Sequence, residues 1–259
     1  MTDVGVVGKV SRLLRAIAAS ETEGVGTSNL ARSAGINRST AHRLLAEMRQ
    51  GGLVDRHEPS GLWLLGPELF LMGLSAGPRY DVTGIAQPIV RRLSTTTAES
   101  AFFSVLRGME TVCLVQEEGS YPIRSHVLHE GIRFPLGVAS AGLAILSFLP
   151  EDAAREYMRG TDLSAFGSEH AHAPMEARVA ETRKQGYAVN PGLVVEGSWG
   201  MAAAVFDHSE RPIGALSLTG VEHRFQTSRR PQLGRILMGA AHELSVLLND
   251  RTGGRNALV

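Results

Sequence analysis

The sequence predicts an α+β fold in two parts, an N-terminal winged helix-turn-helix joined by a linker helix to a larger domain of helices and antiparallel strands. Three observations carry this. Residues 27–49, TSNLARSAGINRSTAHRLLAEMR, hold two short helical patterns joined by a glycine turn. Two short strand patterns with turn chemistry between them follow at once. Beyond Gly77-Pro78, helical and strand signals alternate and the strands come in hairpins, which points to helices segregated against an antiparallel sheet.

Val6, Val10, Leu13, Leu14 and Ile17 recur at helical spacing and predict a first helix over 8–19. Its polar face carries Lys9, Arg12 and Arg15, and Lys9 and Arg12 read as a solvated outer surface. After a loop over 21–26, Ala31 is small, as a close helix crossing requires, and Gly35 supplies the φ > 0 of the turn. Asn37 suits the cap of the second helix, its side-chain oxygen accepting a free backbone N–H. Ala41, Leu44 and Leu45 face inward, which leaves Arg38, Ser39, His42, Arg43 and Arg49 on the opposite face. This is the pattern in which the second helix lies in a DNA major groove. An ordinary helical hairpin with a solvated basic face would share the spacing. The next stretch favours the DNA reading. Gly51-Gly52 ends the helix, 53–56 and 62–65 are strand-like, and Glu58-Pro59-Ser60-Gly61 is a turn between them. Helix, helix and β-hairpin together make the winged variant.

Pro67 suits the first position of the linker helix, where its missing N–H would have no partner. That helix, LFLMGL in its middle, is apolar almost all round and is expected to be buried against its copy in a second subunit; packing into the chain's own core is the alternative. The domains are placed at 1–66, 67–80 and 81–259. In the last, 82–94 reads as a helix, and 101–106 with 111–116 as a hairpin turned at 107–110. A third strand is expected at 123–128, then helices at 139–148, 152–158 and 175–185. Strands follow at 187–190, 201–206 and 213–219, and a long helix over 230–248 buries Leu233, Ile236, Leu237, Ala240, Ala241, Leu244 and Leu248.

Length and composition bound the rest. The 259 residues, 43% hydrophobic, suit two domains. No run of apolar residues is long enough to span a membrane and no signal peptide is recognised, so a cytoplasmic protein without a membrane partner is expected. One cysteine, Cys113, excludes an intrachain disulfide. The 26 basic and 26 acidic residues cancel, but residues 28–57 carry five arginines against Glu47 and Asp55. So modest a local charge holds phosphates weakly in one copy, which argues for two or more.

The candidate DNA contacts are Ser28, Arg38, Ser39, Thr40, His42, Arg43 and the wing residue Arg56. Arginine is suited to bidentate contact with guanine or phosphate, and hydroxyls at a helix start can hold a phosphate. Thr40 reads alternatively as a local cap. Arg56 and His57 serve equally well as a solvated turn.

LARSAGINRSTAHRLLAEMRQGGLV followed by LWLLGPELFLMG, then EGIRFPLGVASAGLAILSFLP, KQGYAVN and MAAAVFDHSERPIGALSLTG, resemble the IclR-type bacterial transcription regulators over nearly the whole chain. The resemblance implies a GAF-like α/β effector-binding domain and homodimers often paired into tetramers, and the family makes a small-molecule effector such as an organic or aromatic acid the expectation. A symmetric dimer sets its two recognition helices on half-sites, so a repressor on a palindromic double-stranded DNA operator is expected. Many members carry His-x-Thr-Ala ahead of the glycine; here the run is Gly137-Val138-Ala139-Ser140-Ala141-Gly142, so effector identity does not carry over.

The candidate effector site is the start of the apolar helix near 140. Its first N–H groups lack intrahelical partners and suit a carboxylate. Leu136, Gly137, Val138, Ala139 and Ser140 would form it, with Phe103, Met201 and Ser217 as walls from the strands; the other reading is that small residues merely permit close packing. Arg124 or Arg133 could pair an anion but read better as surface residues. No enzyme is expected, and no cofactor or metal. Val138-Ala139-Ser140-Ala141-Gly142 lacks the first glycine of a nucleophile elbow. His126 and His129 would fall on opposite faces of a strand, and His170 and His172 have no carboxylate or cysteine at metal spacing. A DNA-tethered enzyme, which would need a base beside Ser140, is the alternative function.

Overall fold

The computed structural model describes residues 5–20, 24–80, 82–123 and 127–252. The chain divides into two compact units, Met1–Tyr80 and Asp81–Val259.

In the first unit, α1 (Val6–Ala18), α2 (Thr27–Ser33) and α3 (Arg38–Gln50) each turn one stripe inward. Leu13 and Ile17 meet Leu30 and Ala31, and Ala41, Leu44, Leu45 and Met48 close on them. Gly35 makes the turn at φ +61°, and Ile36 N–H donates to Ala31 O at 3.0 Å. β1 (Val54–His57) and β2 (Leu62–Leu65) pair antiparallel, with Arg56 opposite Trp63. Trp63 seals the core and its indole N–H donates to Thr27 Oγ1 at 2.9 Å. Gly66 ends the hairpin where two backbones almost touch: its N–H donates to Leu53 O at 2.9 Å, and a Cβ there would stand 2.1 Å from Gly52 O.

α4 (Pro67–Tyr80) follows. Burial within the chain is not what the structure shows. Phe70 is 67% and Leu74 59% exposed, and Leu71 and Met72 are exposed as well. The small core is closed by Val54 and Trp63 and includes no described residue of α4.

The second unit is built on a six-stranded antiparallel sheet. It contains α5 (Thr83–Thr97), β3 (Ser100–Arg107), β4 (Glu110–Glu117), β5 (Arg133–Pro135), α6 (Ser140–Phe148), α7 (Glu151–Gly160), α8 (His172–Gln185), β6 (Ala188–Pro191), β7 (Ser198–Phe206), β8 (Pro212–Val221) and α9 (Arg230–Thr252). The strand order is β5-β4-β3-β8-β7-β6. One face carries Phe103, Met201, Leu216 and Leu218 beneath α5 and α9. The other carries Ala202, Ala204 and Ala215 beneath α6 and α8, where alanine lets the helices approach closely. Gly186 ends α8 at φ +83°.

The third strand is not at 123–128. Ile123, Val127 and Leu128 lie in bends and coil, and Arg124, Ser125 and His126 fall outside the described residues. Leu128 turns inward onto Phe102 and Cys113 instead of joining a ladder, and the strand beside β4 is β5. His129 is therefore not a strand residue, and its Nδ1 lies 3.1 Å from Glu130 O.

Candidate nucleic-acid interface and ligand pocket

α3 owes its start to Asn37. Its Oδ1 accepts from Thr40 N–H at 2.7 Å and from the Ser39 hydroxyl at 2.9 Å. The cap is thus Asn37, and Thr40 supplies the capped N–H rather than capping. Arg38, Ser39, His42 and Arg43 are all exposed and, four apart in pairs, share one side of the helix, while Thr40 is half-buried. Ser28 is exposed in the first turn of α2.

Two arginines of this surface are tied to acids. Arg43 Nη1 is 3.1 Å from Glu47 Oε1, and Arg49 Nη2 is 2.9 Å from Glu58 Oε1 in the wing turn. Arg56 folds along the wing, its Nε 3.4 Å from Gly61 O and its guanidinium 5.6 Å from the Trp63 ring centre. His57 Nδ1 lies 2.8 Å from Ser60 Oγ. Arg12 departs from the solvated position read for it: it is half-buried, with Nε enclosed. The helical period of α1 could not reveal this, because the covering surface is the turn at Gly35, a separate segment.

The start of α6 is a second constellation. Ser140, 3% exposed, opens the helix after a tight loop whose Gly137 has φ +85°. Val138 O accepts from Asn190 Nδ2 at 2.8 Å and lies 3.3 Å from His170 Nε2; the Tyr157 hydroxyl donates to Leu136 O at 3.0 Å. Burial, the largest cause, pushes the Tyr157 hydroxyl up to about 12. A cavity of about 20 Å³, room for roughly one water, is lined by Leu128, Ala139, Ser140, Asn190, Gly200 and Thr219 among others. Gly200 faces Ser140 so closely that a Cβ there would stand 2.9 Å from Ser140 Oγ. Thr219 lines the cavity, while Ser217, expected as a wall, lies two residues back along the same face of β8 and outside the lining; both are buried and their hydroxyls have no hydrogen-bond partner.

Several expected walls lie elsewhere. Phe103 and Met201 point to the α5–α9 side of the sheet, because successive strand residues face opposite ways. Phe102, paired with Ser217, and Ala202, paired with Ser217 from β7, occupy the pocket side instead. Leu136 and Val138 are packed in the core between α6 and α8, and Gly137 is wedged against Met175. Ala139 and Ser140 do reach the cavity. Arg133 lies on the edge strand, 3.4 Å from Glu110 Oε2. Arg124 falls outside the described residues. Sequence reading missed Asn190 and Thr219; polar residues within apolar strands were the available signal.

No hydrogen bond joins Ser140 to a histidine, and no cluster of three or more metal-ligating side chains occurs, among the described residues. Cys113 sits with Phe102 and Leu128, and burial first, then Glu130, pushes its thiol up to about 12. No helix among the described residues is long and apolar enough to cross a membrane.

A winged helix-turn-helix with an exposed, basic second helix, followed by a separate α+β unit, defines a DNA-binding regulator of two domains. The sequence profile of the IclR helix-turn-helix domain matches residues 6–58, and that of the bacterial transcriptional regulator IclR C-terminal domain matches residues 75–246. The chain belongs to the IclR family of DNA-binding transcription regulators. It is 28% identical over 254 residues to the acetate operon repressor of Salmonella typhimurium, covering 95% of this chain and 92% of that one. It is 29% identical over 239 residues to the transcriptional repressor IclR of Escherichia coli, covering 91% and 86%. Its fold matches that of an IclR homolog from Microbacterium hydrocarbonoxydans, solved in complex with 4-hydroxybenzoate, with TM-score 0.75 at 23% identity, covering 95% of this chain and all of that one.

Proposed function

We propose that this protein is a ligand-responsive repressor that binds a palindromic operator as a twofold dimer, or as a dimer of such dimers. Residues 1–66 form the DNA-binding domain, 67–80 the linker helix and 81–259 the effector domain. Arg38, Ser39, His42 and Arg43 enter the major groove, and Ser28, Thr40 and Arg56 meet the backbone. The observation that carries this is the division of α3: one side is closed into the core through Ala41, Leu44, Leu45 and Met48, and the other is open and basic. The exposed Phe70, Leu71, Met72 and Leu74 support pairing of two linker helices, because a soluble monomer rarely leaves so many adjacent large apolar side chains in water.

The effector is a small organic acid, with aromatic acids as the first class to try, held at the start of α6. The unpartnered hydroxyl of Thr219, the Ser140 hydroxyl and the free N–H groups of the helix start supply neutral donors suited to a carboxylate, with the unpartnered Ser217 hydroxyl buried behind them on the same face. The one-water cavity implies that the pocket opens as ligand enters. A ligand shifts DNA affinity only through its different affinity for two arrangements of the dimer, and a coupling of about 1–3 kcal/mol changes that affinity from several-fold to about a hundredfold. The reading includes no catalysis, cofactor or metal.

A gel-shift titration on the DNA upstream of the protein's own gene, with and without a panel of small organic acids, tests this. A retarded band weakened by one acid is expected. No band at low salt would overturn the repressor reading, and a band indifferent to every acid would overturn the effector class.

A further inference from the structure

We propose that Arg12, on α1, binds a phosphate of the DNA backbone and acts as a clamp beside the recognition helix. This rests on α3 being the groove-reading helix. Arg12 is half-buried and its Nε is enclosed with no hydrogen-bond partner. Its Nη1 lies 3.6 Å from where a Cβ would stand on Gly35, so the guanidinium rests on the turn that leads to Asn37 and Arg38. Among the described residues, no carboxylate pairs with it. Arg43 and Arg49, by contrast, hold Glu47 and Glu58.

A guanidinium partly withdrawn from water with no counter-charge is costly in the free protein, and Glu47 and Glu58 are held by Arg43 and Arg49 instead. A phosphate oxygen arriving at the turn removes that cost and accepts charge-assisted bonds from the guanidinium. The side chain comes from outside the recognition helix, which suits a contact that fixes register on the duplex without reading a base. Gly35 contributes its left-handed backbone, which makes the turn on which Arg12 Nη1 rests.

The experiment measures binding of the full chain to a labelled random-sequence duplex of about 30 base pairs across roughly 50–200 mM salt, a range in which phosphate contacts dominate. The chains compared are wild type, Arg12→Met, Arg12→Lys and Arg43→Met. Arg12→Met keeps the aliphatic packing and removes the charge. It is expected to reduce the slope of log K against log salt by about 0.9 per protomer, and affinity near 0.1 M salt by roughly three- to tenfold. Its melting temperature should be unchanged or higher, and Arg12→Lys should keep the wild-type slope. Should Arg12→Met fail to fold, Arg12→Gln is read in its place. A wild-type slope in the charge-removed variant, with a reduced slope in Arg43→Met, overturns the role of Arg12 alone. Slope loss shared by Arg12→Lys together with a lowered melting temperature also overturns it, since that pattern marks a structural role. Absence of wild-type binding would remove α3 and Arg12 together.

Discussion

Thr219 and Ser217 give a prediction whose sign is opposite to the usual effect of core mutation. Both are buried on the α6 side of β8, and neither hydroxyl has a hydrogen-bond partner. A buried hydroxyl without a partner costs about 1–3 kcal/mol. Thr219→Val replaces it with a methyl of nearly equal volume, so the variant is expected to be more stable than wild type by about 1–2 kcal/mol after some loss to imperfect packing. For a domain of this size that is a rise of roughly 2–8 °C in melting temperature. Ser217→Ala should act in the same direction with a smaller gain, because it leaves a small void. The assay is thermal unfolding of the full chain, alone and with each acid that shifts wild type. Higher stability without ligand and a lost ligand shift, in the same variant, is the expected pair. A Thr219→Val protein that melts lower than wild type would show that the hydroxyl is already satisfied, and the reasoning from unpartnered groups would fail.

Glu47→Gln should raise affinity for random-sequence duplex at low salt by a few-fold, since it frees Arg43 and removes a like charge from the phosphate side; stability should change by less than about 0.5 kcal/mol, because both partners of the pair are exposed. Fluorescence anisotropy and a denaturant titration measure the two effects. Gly66→Ala forces a Cβ to within 2.1 Å of Gly52 O, and should cost at least about 2 kcal/mol or prevent folding of the wing, read as loss of the cooperative melt of the first unit. Cys113 holds its proton to about pH 12 when folded against an ordinary value of 9.0, so between those values the folded chain binds more protons than the unfolded one. Its contribution to stability is therefore full below pH 9 and declines as pH rises toward 12; Cys113→Ala should flatten that decline in urea titrations, and a thiol reagent at pH 8 should label the chain only once it is unfolded.

The fold of the first unit is legible because each of its helices has one wet side. The stripe of Leu13 and Ile17, the glycine turn and the hairpin all announce themselves by contrast with their polar neighbours. The sheet of the second unit offers no such contrast. β3 and β7 are buried on both faces, so the period-two alternation that would reveal which residues face α6 is absent. That is why strand positions are readable while Phe103 and Met201 come out on the wrong side for the pocket. The strand expected at 123–128 fails for a related reason: apolar residues there fill a gap over Phe102 and Cys113, which spacing alone does not separate from strand pairing. Arg12 escaped because its cover comes from a distant segment.

The sheet of the second unit is a partition one residue thick. Phe102 and Phe103, or Met201 and Ala202, are chain neighbours that belong to different compartments. Side chains around Ser140 can therefore be exchanged while the layer under α5 and α9 keeps its packing. On the reading proposed above, what the chain senses can change without rebuilding the wall behind it.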